Sequence, residues 1–252
     1  MSIVLVHGVP ETDVIWDGLV QQLVALGHPE PVRLSPPGFG APVPDGFAAT
    51  WEAYRDWLVG ELEAFDEPVD LVGHDWGGGH ALNAVMARPD LVRTWVSDIV
   101  GIYDPGYTWH DLAQLWQTPE AGEAAVAKMT DPDLGARRAD NLVAAGMEAT
   151  TAARVASGMD AAMGECILRL YRSAQQPVLA ELGSGLEVAA TRPGLALLAT
   201  DDHMVGTDEQ RRSAAARAGA RVEVLGGLGH WWMTHDPARG ARVLSDFWAA
   251  GR

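Results

Sequence analysis

The stretch LVGHDWGGGHA, residues 71–81, holds the side chain in this chain best placed for chemistry. A short apolar run ends at Asp75, with Gly73 two residues before it and Gly77 two residues after. Small residues at those positions let a backbone turn sharply from strand into helix, where a Cβ would clash. Such a corner also aims the first helix amides, including that of Trp76, at the reacting atom. A solvated aspartate has a pKa of about 3.9, so it is ionised at neutral pH and needs no base to become a nucleophile. Serine in this place suits acyl transfer. A carboxylate suits attack on a saturated carbon bearing a leaving group, which leaves an alkyl ester that water must cleave with help from a general base. A strained epoxide or a carbon–halogen bond fits the first step. The competing reading is a phosphate-binding turn with Asp75 as a helix cap. Gly77–Gly79 lack the spaced dinucleotide fingerprint, however, and the chain has no Gly-Lys-Ser/Thr loop.

A base is available near the C-terminus, where GGLGHWWMTHDP places His230 in a loop straight after the last predicted strand. His235 is its rival but adjoins Asp236-Pro237 and reads as the cap of the final helix. The base needs a carboxylate to hold its tautomer. LALLATDDHMVG offers Asp202 at a strand end, with Asp201 read as a turn residue, and Asp98 after TWVS is a second possibility. At the start, VLVHGVP turns at Gly8, so the amide of Val9 can join that of Trp76 in an oxyanion hole. Pro10 stiffens that turn. No histidine–carboxylate set has ligand spacing on one element, so neither a metal nor another cofactor is expected.

Positioning these residues requires strand ends. Short apolar runs at 3–6, 31–34, 69–73, 94–100, 194–199 and 221–225 alternate with predicted helices near 13–27, 50–65, 77–88, 207–218 and 237–249. That alternation implies an α/β chain with a mostly parallel sheet of about six strands, covered on both faces, with ligands at the carboxyl ends of the strands. Between 103 and 185 the sequence turns alanine-rich and helical, with no convincing strand. The expected organisation is a core of 1–102 and 186–252 and a helical lid over 103–185.

Composition narrows the partners. The 252 residues are 48% hydrophobic, and a formal net charge of -16 would repel nucleic acid and anionic membranes, leaving a neutral or small-molecule ligand. No apolar run is long enough for a membrane span or a signal-peptide core, so a cytoplasmic protein is expected. Cys166 is the one cysteine, which rules out an intramolecular disulfide and suits a buried apolar position.

HGVP, PPGFG, VGHDWGGG, the Asp201-Asp202 pair and GHWWMTHDP together resemble the α/β-hydrolase fold, in particular its epoxide hydrolase and haloalkane dehalogenase branch. The resemblance spans nearly the whole chain. It implies Asp75 as nucleophile, His230 as base and Asp202 as its charge partner. Dehalogenases of this branch usually carry asparagine at the position of Val9 to hold the halide, which favours an epoxide over an alkyl halide. Epoxide hydrolases use lid tyrosines that donate to the epoxide oxygen. LRLYR resembles the segment carrying one of them, making Tyr171 a candidate donor. The second tyrosine is absent from HDLAQLWQTPEAG, where His110 is a substitute and Tyr107 is less well placed. The bland reading makes Tyr171, Trp109 and Trp116 packing residues, with Trp231 a further candidate for the pocket wall. Relatives usually begin with two more strands, so the 31–34 strand is expected at an exposed edge, compatible with a monomer or a homodimer. A hydrolase-like binding protein with little turnover is the alternative from another class.

Overall fold

A computed structural model of the chain describes residues 2–250. Six strands, β1 (Ile3–Val6), β2 (Val32–Leu34), β3 (Val69–Gly73), β4 (Val92–Ser97), β5 (Gly194–Ala199) and β6 (Ala220–Leu225), form one sheet in the order β2-β1-β3-β4-β5-β6. Every pairing is parallel. β1, β3 and β5 are buried along their whole length, as a sheet covered on both faces requires; β1 and β5 are unbroken apolar runs, and the one charge in β3, Asp70, is paired with Arg93. β2 is an edge strand with Val32 exposed. The strand expected over 94–100 lies earlier. β4 pairs Val92 with Val69 and Ser97 with Gly73, so it stops in register with β3, and Asp98 is the first residue beyond it.

The helices are α1 (Asp17–Ala25), α2 (Trp51–Leu62), α3 (Trp76–Ala87), α4 (Asp111–Gln117), α5 (Ala121–Thr130), α6 (Gly135–Ala144), α7 (Ala149–Ser157), α8 (Ala161–Ser173), α9 (Val178–Gly183), α10 (Leu186–Ala189), α11 (Asp208–Arg217), α12 (Trp232–His235) and α13 (Pro237–Ala250). Parallel crossovers are right-handed, so direction of travel decides the face. The chain moves one way from β1 to β2 and the other way in every later step. Accordingly α1 packs with α12 and α13, while α2, α3, α10 and α11 form a second group. The reversal falls between β1 and β3, where an open parallel sheet forms its ligand crevice. Val9 and Asp75 leave the sheet at that point.

Helices α4 to α9 lie between β4 and β5, and among the described residues this insertion contains no strand. α8 shows why its sequence folds here: Met163, Cys166, Ile167, Leu170 and Tyr171 recur on one face and are all buried. Asp160 caps its first turn by accepting from the Met163 amide at 2.8 Å. Among the described residues no helix is long and apolar enough to cross a membrane.

The corner between β3 and α3 depends on missing side chains. A Cβ on Gly77 would lie 2.1 Å from the Val6 carbonyl oxygen, and one on Gly73 would lie 2.3 Å from the Gly77 carbonyl oxygen. Both obstacles are backbone and cannot swing aside. Gly77→Ala should therefore lower the unfolding free energy by about 3 kcal/mol in urea melts. Gly60→Ala on α2, where an added Cβ meets nothing within 4 Å, should instead raise it by roughly 0.5–1 kcal/mol.

Candidate active site

Asp75 adopts φ 49° and ψ -132°, a conformation that costs a non-glycine residue roughly 1–3 kcal/mol and persists only when its surroundings enforce it. Its amide donates to Asp98 Oδ1 at 3.0 Å, and its carbonyl accepts from the Gly78 and Gly79 amides at 2.8 and 3.1 Å. The side chain then projects over β1, so close that a Cβ on Gly8 would overlap it at 2.3 Å. Oδ1 accepts the Val9 amide at 2.8 Å, and the Trp76 amide bonds the same carboxylate. The two amides that the sequence reading paired thus meet on one side chain.

His230 Nε2 stands 3.6 Å from Asp75 Oδ2, and its Nδ1 donates to Asp202 Oδ2 at 2.9 Å. Asp202 is fixed in turn by the Met204 amide on Oδ1 at 2.9 Å. Buried Arg211 holds the turn, donating to the carbonyls of Ala199 and Asp202 at 2.9 and 3.3 Å. Asp201 is exposed and accepts only the neighbouring Thr200 hydroxyl among side-chain donors. Charges follow this geometry. Burial raises the Asp75 carboxyl from 3.8 to about 6 against the attraction of His230. Burial would lower His230, but Asp202 outweighs it and raises the imidazole to about 9. Burial acts against the Asp202 carboxylate too, yet His230 holds its pKa down to about 2.

Asp98 serves a different histidine from the one considered for it. It bonds His74 Nδ1 at 2.5 Å and accepts the Trp232 indole N–H at 2.8 Å. On the other side of the ring, His74 Nε2 faces Glu11 Oε1 at 3.1 Å, and Glu11 also accepts the Gly8 amide at 2.9 Å and the Trp231 indole. Burial opposes charge on His74, but Asp98 and Glu11 raise its pKa well above 6.5. Burial opposes the Glu11 carboxylate as well, and His74 lowers it to about 2. Sequence reasoning passed over Glu11 and His74. His74 adjoins Asp75 and was open to notice, whereas nothing marked Glu11 among 34 acidic residues. Ligand-capable atoms of Glu11, His74 and His230 lie within 4.8 Å of one another. A search along single elements could not find that set. Both ring nitrogens of His74 face carboxylates, which joins Glu11, His74 and Asp98 in one buried hydrogen-bond network.

A cavity of about 390 Å³ opens above Asp75 and His230, within the range of small-molecule sites. Tyr171, His110, Trp116 and Trp231 line it. Trp109 and Tyr107 do not. The Trp109 indole donates to the Ala174 carbonyl and stacks on Trp76, and the Tyr107 hydroxyl donates to the Met204 carbonyl, so both are packing residues. Tyr171 is buried against Trp76, Trp109 and Trp116, and burial pushes its hydroxyl well above 10, keeping it protonated. His110 caps α4, its Nδ1 accepting the Ala113 amide at 3.3 Å, and burial lowers it to about 4. The neutral ring therefore carries its proton on Nε2. His235 is not the cap of α13. It bonds the Gly146 carbonyl at 2.6 Å, and the Asp236 side chain takes the Arg239 amide.

This fold, with a carboxylate at its strand-to-helix corner, defines an α/β hydrolase. The model of the alpha/beta hydrolase family matches residues 3–243, and the chain belongs to that family. Among curated proteins it is similar to the AB hydrolase superfamily protein YfhM of Bacillus subtilis, 26% identical over 49% of this chain and 48% of that one. It is also similar to an epoxide hydrolase of Caballeronia sordidicola, 31% identical over 48% of this chain and 36% of that one. The chain thus spans about half the length, or less, of the curated relatives it matches. Among solved structures, the haloalkane dehalogenase DbeA of Bradyrhizobium elkani superposes with a TM-score of 0.70 at 20% identity, over 99% of this chain and 91% of that one. A thioesterase domain from the curacin biosynthetic pathway gives 0.67 at 16% identity, over 97% and 91%. Likeness at these identities shows the fold.

The buried Glu11–His74–Asp98 set makes a stability prediction. Removing one partner of a buried ion pair costs roughly 3–5 kcal/mol, and Asp98 still supports His74, so Glu11→Gln should lose about 3 kcal/mol at neutral pH. Glu11 falls from 4.5 unfolded to about 2 folded. Its contribution is therefore complete above 4.5 and lost as pH drops towards 2. Urea melts of both proteins should converge over that window.

Proposed function

We propose that this protein is a cofactor-free epoxide hydrolase that forms a vicinal diol through an alkyl ester on Asp75. The observation that carries the reading is the Asp75 carboxylate itself, held at a strained corner on the Val9 amide, with His230 3.6 Å away. An ionised oxygen of Asp75 attacks an epoxide carbon, the C–O bond breaks, and the ring oxygen gains negative charge. Tyr171 donates a hydrogen bond to that oxygen, with the Nε2 proton of His110 as the second donor. The alkoxide needs one proton, and the imidazolium of His230 can supply it, leaving His230 neutral. Esterification also removes the Asp75 charge that helps hold that proton. Neutral His230 then takes a proton from water as the water attacks the ester carbonyl. Negative charge on the carbonyl oxygen is met by the Val9 and Trp76 amides. Collapse frees the diol and returns Asp75 with one oxygen from water. In this account the helical insertion is a lid, and Asp202 orients His230 throughout.

One turnover of an epoxide such as styrene oxide in heavy-oxygen water, followed by mass analysis of the peptide 71–88, should place one heavy oxygen in Asp75. His230→Gln should accumulate the alkylated peptide, and Asp75→Asn should form none. Incorporation of label into the diol alone would overturn the covalent route, and halide release from haloalkanes without diol formation from epoxides would assign the same ester to dehalogenation. Because only ionised Asp75 attacks and its pKa is raised to about 6, the single-turnover alkylation rate should climb with pH, reaching half its plateau near pH 6.

A further inference from the structure

The cavity above Asp75 has a wall that the reaction does not use. Lys128 on α5 and Arg137 and Arg138 on α6 line it, three of the 18 basic residues in a chain with 34 acidic ones. The single carboxylate on that lining is Asp75, the reacting group. Elsewhere in the insertion, Arg154 on α7 pairs with Asp17 and Arg172 on α8 pairs with Glu123, while Arg169, outside this cavity, has no ion pair among the described residues. Among the described residues no carboxylate pairs with Lys128, Arg137 or Arg138. Arg138 is moreover anchored, with Nη1 donating to the Met159 carbonyl at 2.8 Å, while its Nε is buried without a partner. A buried donor left unmet costs free energy that a ligand oxygen or water recovers. The rest of the lining is largely apolar, with Met129, Leu134, Leu142 and Met159 among it.

An uncharged epoxide has no use for three unpaired cations, and a net charge of -16 makes their concentration on this one wall the more unusual. We propose that the substrate is an epoxide carrying a carboxylate at the far end of an apolar chain. Its anion is held by Arg138, with Arg137 and Lys128 adding charge. A guanidinium matches the planar carboxylate with paired hydrogen bonds, and the apolar walls take the methylenes between the two ends. This substrate class rests on the epoxide-opening reaction above, but the anion site itself is independent of any turnover.

The test compares a series of ω-epoxy carboxylates with their matched carboxamides, by kcat/KM, in the wild type and in Arg138→Gln. The acids should be preferred by roughly 10-fold to 100-fold, the worth of a hydrogen bond to a charged group, and the preference should collapse in the variant. The acid-to-amide ratio is internal to each protein, so loss of folded enzyme does not imitate the effect. Calorimetric binding of saturated fatty carboxylates and their amides to the wild type gives the same comparison without chemistry and does not depend on the variant folding. Amides turned over as well as acids would sink the anion site and leave the reaction standing. Preferential carboxylate binding with no epoxide turnover would sink the reaction and leave the anion site standing. Equal binding of carboxylate and amide without turnover would end both.

Discussion

Everything in this molecule depends on one backbone corner. At Asp75 the chain leaves β3 with a positive φ and enters α3 at once, which is possible because β1 and α3 approach each other across glycines. The pairing of Val6 with Gly73 brings the two strands to the same height, so the loops that follow them meet over the sheet. The strain at Asp75 is countered by five backbone or side-chain hydrogen bonds around a single residue. The same geometry that forces the strain also brings the Val9 and Trp76 amides to the carboxylate. Strain, proximity and anion stabilisation are one structural fact seen from three sides.

Beneath that corner lies an unusually charged interior. Two histidines and four carboxylates, Glu11, Asp75, Asp98 and Asp202, share the carboxyl ends of β1, β3, β4 and β5. Charges so placed destabilise a fold unless each is paired. The pairing is nearly complete: His74 lies between Glu11 and Asp98, and His230 lies between Asp202 and Asp75. The two imidazole rings stand 4.6 Å apart, close enough that each opposes protonation of the other. Asp75 is the member held most loosely by an imidazole, at 3.6 Å from His230 against 2.9 Å for Asp202, its close donors being backbone amides. Asp202 is thus bound directly to the imidazole, while Oδ2 of Asp75 lies beyond hydrogen-bond distance of it.

How much of this was legible in the sequence follows from range. The parallel sheet and the elbow rest on local signals: β-branched runs, glycines two residues either side of an aspartate, alternating helices. Those appear in the structure where they were expected, apart from β4, whose end is set by register with β3 and not by its own composition. Asp98 illustrates the consequence. Read as a possible partner for His230, it lies at a strand end two strands nearer β1, beside β3, where His74 is within reach and Asp202 already occupies Nδ1 of His230. Glu11 was invisible for the same reason, since its importance comes from a contact 63 residues away with His74 and another 220 residues away with Trp231. Trp109 and Tyr107, candidates for the pocket with packing as the alternative for Trp109, pack behind its wall; aromatic residues on an insertion look alike in sequence whichever side they face.

The insertion divides labour with the core in a way that charge makes plain. In the proposed reaction the core supplies the nucleophile, and its other buried charges are engaged in mutual pairs. The insertion contributes Tyr171 and His110, both held neutral by burial and both able to donate a hydrogen bond, and on α5 and α6 it adds fixed positive charge. In the proposed reaction the neutral donors Tyr171 and His110 meet the epoxide oxygen, and the cations of α5 and α6 meet the carboxylate. A substrate of the proposed kind, with an anionic end and a reactive uncharged end, is then held in one orientation. Reversing it would place its anion against the Asp75 carboxylate and its apolar ring against the guanidinium of Arg138, and both contacts are unfavourable. In the proposed reaction, the choice of which end meets the nucleophile is thus made by the helices that the sheet carries.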